Sequence, residues 1–318
     1  MLIIRTESDL EACRKLWQQC IPSEKITDLW DVRECFHRFY RRELMFVVAE
    51  DGGEVVGLIP LAWISENGCY GYFPGEVWKG TTWLEQNRII ARDKDVLRRM
   101  LDWLHEKKYS CHLGYLNDHT TLELPAAVDE IGYLFLPPKY NFQMQTYHNE
   151  FSRKSIRAIE KIIADFKDLG LQYCDGNPDD VELMIEMNLN RFGESSYFSD
   201  ERFAGGFRAL RDFFHARGWL RMTVALVDNK PAAVDMGIVY NNAYTLLAGG
   251  TNGEFPGIAK AINMYHIRKA CEEKYSEADF LCGDFFWKPM FHLTPRPLYL
   301  LSNEEKGTAP FIFPFQKK

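Results

Sequence analysis

The sequence predicts a mixed α/β (α+β) chain of two tandem domains, each a mostly antiparallel sheet flanked by helices. Three observations carry this. The chain has 318 residues, about twice what one compact domain needs, and 46% of them are hydrophobic, enough for two cores. One order of elements (strand, two helices, three strands, helix, strand) is written twice. The hairpin signature VVAEDGGEVVG at 47–57 is answered by VALVDNKPAAV at 224–234. The expected domains are 1–150 and 151–318, the second led by a basic helix at 151–168.

The first domain opens with a short apolar strand, Leu2 to Ile4. Ser8-Asp9-Leu10-Glu11 reads as a capping box, so a helix should follow to about Cys20. A second helix is expected from Trp30 to Glu43. Strands at Met45–Glu50 and Glu54–Ile64 flank Asp51-Gly52-Gly53, where two glycines supply the positive φ of a hairpin turn. A third strand covers Cys69–Phe73. Asp93–Lys108 is the best amphipathic helix, with Val96, Leu97, Met100, Leu101 and Leu104 on one face.

The second domain repeats the order. Its strand is Leu171–Cys174, and its two helices are Asp179–Phe192, started by Asn177-Pro178, and Asp200–Ala216, stopped at Gly218. Strands at Leu220–Val227 and Ala232–Tyr240 flank Asp228-Asn229-Lys230. A strand at Tyr244–Ala248, a helix at Ile258–Lys274 and a strand at Ala278–Cys282 complete it. Between the domains, FSRKSIRAIEKIIADFK at 151–167 is rich in Arg and Lys. It reads as a solvated helix face or as a basic lip over a ligand groove.

Charge and cysteines exclude several functions. The net charge of −7 disfavours a general polyanion binder, and DNA is not an expected partner. Residues 1–150 carry 17 Lys/Arg against 23 Asp/Glu, and residues 151–318 carry 21 against 22, so an anionic ligand suits the second domain better. The eight cysteines form no C-x-x-C pair and the histidines are dispersed, so no zinc site is expected. No apolar run is long enough to cross a bilayer and no secretory signal is visible, which makes the expected setting cytoplasmic, with reduced thiols.

The order of elements resembles the Gcn5-related N-acetyltransferase (GNAT) superfamily. The second domain is similar to the acetyltransferase-like domain of the Fem-like group, with its CelD-type relatives. FSRKSIRAIEK at 151–161, the strands at 218–252, PGIAKAINMYHIRKACEE at 256–273 and DFLCGDFFWKPMF at 279–291 carry the likeness. The first domain resembles the degenerate partner of such tandem proteins. It reads as structural, shaping an acceptor cleft, with Trp78 and Trp83 as a substrate wall or as core. The resemblance implies acyl transfer, with acyl-coenzyme A (acetyl-coenzyme A) as co-substrate and a small-molecule or peptide amine as acceptor. An aminoacyl-tRNA donor acting on a cell-wall precursor is the alternative. A non-catalytic binding protein of the same fold is a third reading.

The residues supply the matching chemistry. A donor pyrophosphate needs unpaired amides at a helix start. Gly257-Ile258-Ala259-Lys260 provides one, with Gly257 for close approach and Lys260 for charge; an ordinary helix cap is the plainer reading. Glu254 stands where the superfamily carries Gln or Arg. A thioester oxyanion needs backbone donors, expected from a splayed strand at Leu246–Gly250, with Gly249 and Gly250 permitting the splay or merely ending the strand. Asp235, in an apolar run, and Asp284, after the last strand, are the candidate bases. Lys288 is the candidate to neutralise an anionic substrate group. Trp287 takes the position where the Fem-like group resembles Gly-x-x-x-Tyr-Lys, so no general acid is supplied there. Tyr244 and Tyr265 are expected as core aromatics. His266 and His292 are read as a helix-face and a loop histidine.

Overall fold

The computed structural model describes residues 1–117, 127–283 and 287–303. The chain forms two compact units, Met1–Ile131 together with the described chain from Pro297 onward, and Gly132–Arg296.

In the first unit, β1 (Ile3–Glu7) is followed by α1 (Leu10–Cys20), α2 (Trp30–Tyr40), β2 (Leu44–Asp51), β3 (Glu54–Ile64), β4 (Cys69–Tyr72), β5 (Ile90–Ala91), α3 (Lys94–Glu106) and β6 (His112–Leu116). The sheet runs β1-β2-β3-β4, antiparallel throughout, with β5 on β3. Gly52 and Gly53 take φ of 61° and 88° at the β2–β3 turn, as the hairpin reading required. The five apolar residues predicted for one face of α3 are all buried in the core. The cap of α1 is Asp9 rather than Ser8, its carboxylate accepting the Ala12 N–H at 2.9 Å.

The chain crosses into the second unit within β7 (Ala127–Phe135), continuing through α4 (Met144–His148), α5 (Arg153–Asp168), β8 (Gln172–Asp175), α6 (Asp180–Phe192) and α7 (Glu201–Ala216). Then come β9 (Leu220–Val227), β10 (Lys230–Tyr240), β11 (Ala243–Thr251), α8 (Ile258–Glu272), β12 (Glu277–Asp279) and α9 (Trp287–Met290). The chain leaves within β13 (Thr294–Ser302). The strand order here is β7-β12-β11-β10-β9-β8, with β11 and β12 parallel and the other neighbours antiparallel. The order read from the sequence is present in both units.

The boundary is not at 150/151. Residues 132–150 belong with the second unit because Leu134 and Phe135 pair with Asp279 and Ala278, and Tyr147 donates its hydroxyl to the Phe291 carbonyl at 2.6 Å. Tyr299, Leu301 and Ser302 return to the first unit, where they pair with β6. The leading helix α5 lies on the start of α8. Its Phe166, Ile162 and Ile163 join Ile258, Ala261 and Ile262 in one cluster with Ala225 and Ala233 of the sheet. Arg153, Lys154, Arg157 and Lys161 stay exposed. Among the described residues, no helix is long and apolar enough to cross a membrane.

Candidate functional site

The parallel pair β11/β12 is short. Its rungs are Ala243↔Glu277, Tyr244↔Ala278 and Thr245↔Asp279. Beyond them the chain after β12 follows β7 instead, with Phe280 N–H donating to Tyr133 O at 2.9 Å and Tyr133 N–H to Leu281 O at 3.2 Å. From Leu246 on, that edge of β11 has no strand partner among the described residues. On its other edge β11 carries a bulge. Met236 pairs with Ala248 and Gly237 with Leu246, so Leu247 is an extra residue that bends the strand. The stretch expected to splay, Leu246–Gly250, therefore does so by losing its neighbour and by the bulge.

The two glycines have other duties. Gly249 lies opposite Asp235, and a Cβ on it would run into the Asp235 carboxylate. Its carbonyl accepts from Asn188 Nδ2 at 2.9 Å. A Cβ on Gly250 would come within 2.5 Å of the Met184 carbonyl of α6. Gly249 thus makes room for Asp235.

At the start of α8, Gly257 is the N-cap, with φ of 98° and no side-chain cap. Only glycine takes this conformation without strain. The amides divide cleanly. Ile258 N–H donates to Phe255 O at 3.1 Å and Lys260 N–H to Gly257 O at 2.9 Å, whereas the Gly257 and Ala259 N–H groups have no partner among the described residues. The Ile258 side chain is in the core. Of the expected anchor, then, Gly257 and Ala259 offer free backbone donors and Lys260 offers its side chain; Ile258 is structural. Glu254 is exposed, and its N–H is held by Asn252 Oδ1. In the first unit the matching helix α3 starts differently: Asp93 caps it, accepting from Val96 N–H at 2.9 Å.

Asp235 is 4% exposed on β10 and is met by His266 Nε2 at 2.9 Å. His266 Nδ1 lies 3.2 Å from the Tyr244 hydroxyl. The three form one buried line, Asp235–His266–Tyr244, running from β10 through α8 to β11. Burial pushes the Tyr244 phenol well above its ordinary range, and the Asp235 charge adds to the effect. Gly237 is the second glycine this line requires, because a Cβ there would strike the Tyr244 ring. The sequence reading set His266 aside and took Tyr244 as core. A signal was present: Ile258, Ile262, His266 and Ala270 recur every four residues on the buried face of α8, and a histidine on such a stripe needs a polar partner.

Lys288 does not face an open site. It is 2% exposed, and its Nζ donates to Leu281 O at 2.8 Å and Cys282 O at 2.6 Å, so it holds that loop instead of neutralising an anion. Asp284 lies outside the described residues. Trp287 packs edge-on against Phe280 and Phe291, and His292 against Phe151.

A mostly antiparallel sheet that opens at its parallel pair beside an uncapped helix start is the arrangement that the acetyltransferase resemblance predicts. Residues 151–289 match the acetyltransferase (GNAT) domain family. Three solved structures share the fold. A conserved protein of unknown function from Bacteroides thetaiotaomicron is 15% identical, with 94% of this chain and 99% of that one covered and a TM-score of 0.60. L-PGS from Bacillus licheniformis is 11% identical, covering 96% and 94% with a TM-score of 0.56. FemX is 10% identical, covering 92% and 95% with a TM-score of 0.55. No curated protein matches the sequence.

Proposed function

We propose that the chain moves an acyl group from acyl-coenzyme A, acetyl-coenzyme A first, to the nitrogen of a small-molecule or peptide amine. The observation that carries this is the pair of unpaired amides at Gly257 and Ala259, at a helix start that follows the open edge of β11. Two N–H groups, a helix dipole and Lys260 suit a pyrophosphate. The donor, when bound, supplies the thioester. The free edge of β11 past Thr245 offers backbone N–H groups to the carbonyl oxygen as the amine attacks. The new C–N bond forms, the C–S bond breaks, the amine gives up a proton and the thiolate takes one. Asp284 is the carboxylate we assign to the amine proton. Asp235, turned toward His266, acts through that imidazole and not on the acceptor. The free thiols support a cytoplasmic setting.

Titration calorimetry with acetyl-coenzyme A tests this. Binding should weaken at least about tenfold in Gly257→Val and in Lys260→Glu, because each fills or reverses the anion site. No binding to the unaltered chain at about millimolar donor overturns the reading. One observation favours aminoacyl-tRNA as donor: Arg153, Lys154, Arg157 and Lys161 are exposed on α5, and none makes an ion pair among the described residues. The net charge of −7 weighs against it. Filter retention of charged tRNA that falls steeply with salt would favour it over coenzyme A.

A further inference from the structure

The face of the second unit's sheet that carries α8 holds a cavity of about 470 Å³, within the range of small-molecule sites. Tyr244 is one of its lining residues, and the buried line from Asp235 ends on the Tyr244 hydroxyl. Burying a carboxylate and an imidazole behind a phenol gains little over an apolar filling of the same volume. It also obliges Gly237 and Gly249 to stay without a side chain. Such a row pays for itself through what its end presents.

The presented atom can be worked out. An ionised carboxylate only accepts, so His266 Nε2 carries a proton toward Asp235. In neutral imidazole Nδ1 then accepts from the Tyr244 hydroxyl, and the lone pairs of Oη are left for the cavity. Three tyrosine rings line it, Tyr244, Tyr265 and Tyr275, those of Tyr244 and Tyr275 being nearly parallel with centroids 6.3 Å apart. The lining cations each have partners. Lys269 pairs with Glu272 at 3.4 Å, and Arg221 Nη1 donates to the Gly218 and Leu220 carbonyls at 2.8 Å each, its guanidinium also donating to the Tyr275 hydroxyl. The lining carboxylates, Asp175 and Glu273, have neither an ion pair nor a side-chain hydrogen bond among the described residues.

We propose that this cavity binds a small organic cation, an amine held by the tyrosine faces and by Asp175 and Glu273, with Tyr244 Oη accepting one of its N–H groups. Aromatic rings attract a cation within about 6 Å of their centroids, and unpaired carboxylates add charge. The site does not depend on the donor reading, since none of its residues belongs to the start of α8.

The test is calorimetry in the absence of coenzyme A, with putrescine, tyramine and choline as probes. At least one should bind with a Kd below about 1 mM. Asp175→Asn/Glu273→Gln alters only exposed side chains and should weaken binding about tenfold or more, with thermal melting unchanged. Tyr244→Phe should weaken the two probes that carry N–H groups, and leave choline, which has none, unaffected. No heat from any probe up to about 10 mM overturns the proposal. So does equal affinity in the Asp175→Asn/Glu273→Gln protein. An equal loss of choline and putrescine in Tyr244→Phe overturns the assignment of Oη.

Discussion

Replacing His266 by leucine removes the partner of Asp235 while leaving the carboxylate where it is. That carboxylate is 4% exposed, on a strand between Val234 and Met236, both fully buried. Opposite it on β11 stands Gly249, which offers no side-chain hydrogen bond. Taking the hydrogen-bond donor from a buried carboxylate leaves its charge unpaired, at a cost of about 3–5 kcal/mol. For a unit the size of Gly132–Arg296, each kcal/mol moves the melting temperature by roughly 2–4 °C, so a fall of about 6–20 °C is expected. Asp235→Asn keeps the shape and a neutral hydrogen bond, and should cost only about 1 kcal/mol. In the double variant no charge is stranded, so its loss should be smaller than the sum of the singles by about 2 kcal/mol. Circular dichroism melts and urea titrations of the four proteins give the cycle. If His266→Leu costs less than about 1 kcal/mol, or the two changes add within about 0.5 kcal/mol, the buried pair is not what holds this face together.

Lys288→Met should lower stability by about 1–3 kcal/mol, because the Leu281 and Cys282 carbonyls lose their donor, and should leave the KM for donor unchanged; a raised KM with unchanged melting would reinstate the anion-neutralising role. Burial pushes the His37 imidazole below its ordinary range, against an opposing pull from Glu34, and its Nδ1 is buried without a partner. Between that lowered value and 6.5 the unfolded chain binds more protons, so stability is lost as pH falls below 6.5, and His37→Phe should flatten the loss. The comparison must be made variant against wild type, since burial pushes the Asp28 and Glu76 carboxyls up, which acts in the opposite direction. A pH profile identical in both proteins would refute the assignment.

What could be read from the sequence was what local chemistry dictates. Asp228 and Asn229 take φ of 48° and 58°, which is why a turn without glycine still closes the β9–β10 hairpin. The apolar spacing of α3 named its five buried residues. The strands β7 and β13 escaped because their partners lie far along the chain. Tyr299 pairs with Leu116, and Phe135 with Ala278, and no short window of sequence carries such a pairing. The domain boundary was misplaced for the same reason. In the site, Gly257 was legible as a helix start, since a glycine followed by a helical pattern signals its own backbone. Gly249 was not, because its purpose is a carboxylate fourteen positions earlier, brought opposite only by the β10–β11 register. His266 required one step more, the phase of α8 over that sheet.

The two units share an order of elements and differ at the start of the matching helix. Where α3 begins, Asp93 fills the amide of Val96 and sets a negative charge at the positive end of the helix dipole. Arg92 and Asp93 form an ion pair at 3.2 Å, and Arg92 reaches Asp51 at the same distance, so the cap belongs to a small charged cluster. An anion approaching there meets carboxylates before it meets an N–H. Where α8 begins, no carboxylate caps the helix, and the residue that sets its direction has no side chain at all. The difference follows the charge of the sequence, in which residues 1–150 hold six more acidic than basic residues and residues 151–318 hold one more. One copy of the fold has thus spent its helix start on stability, and the other has kept unpaired amides there at the cost of that cap.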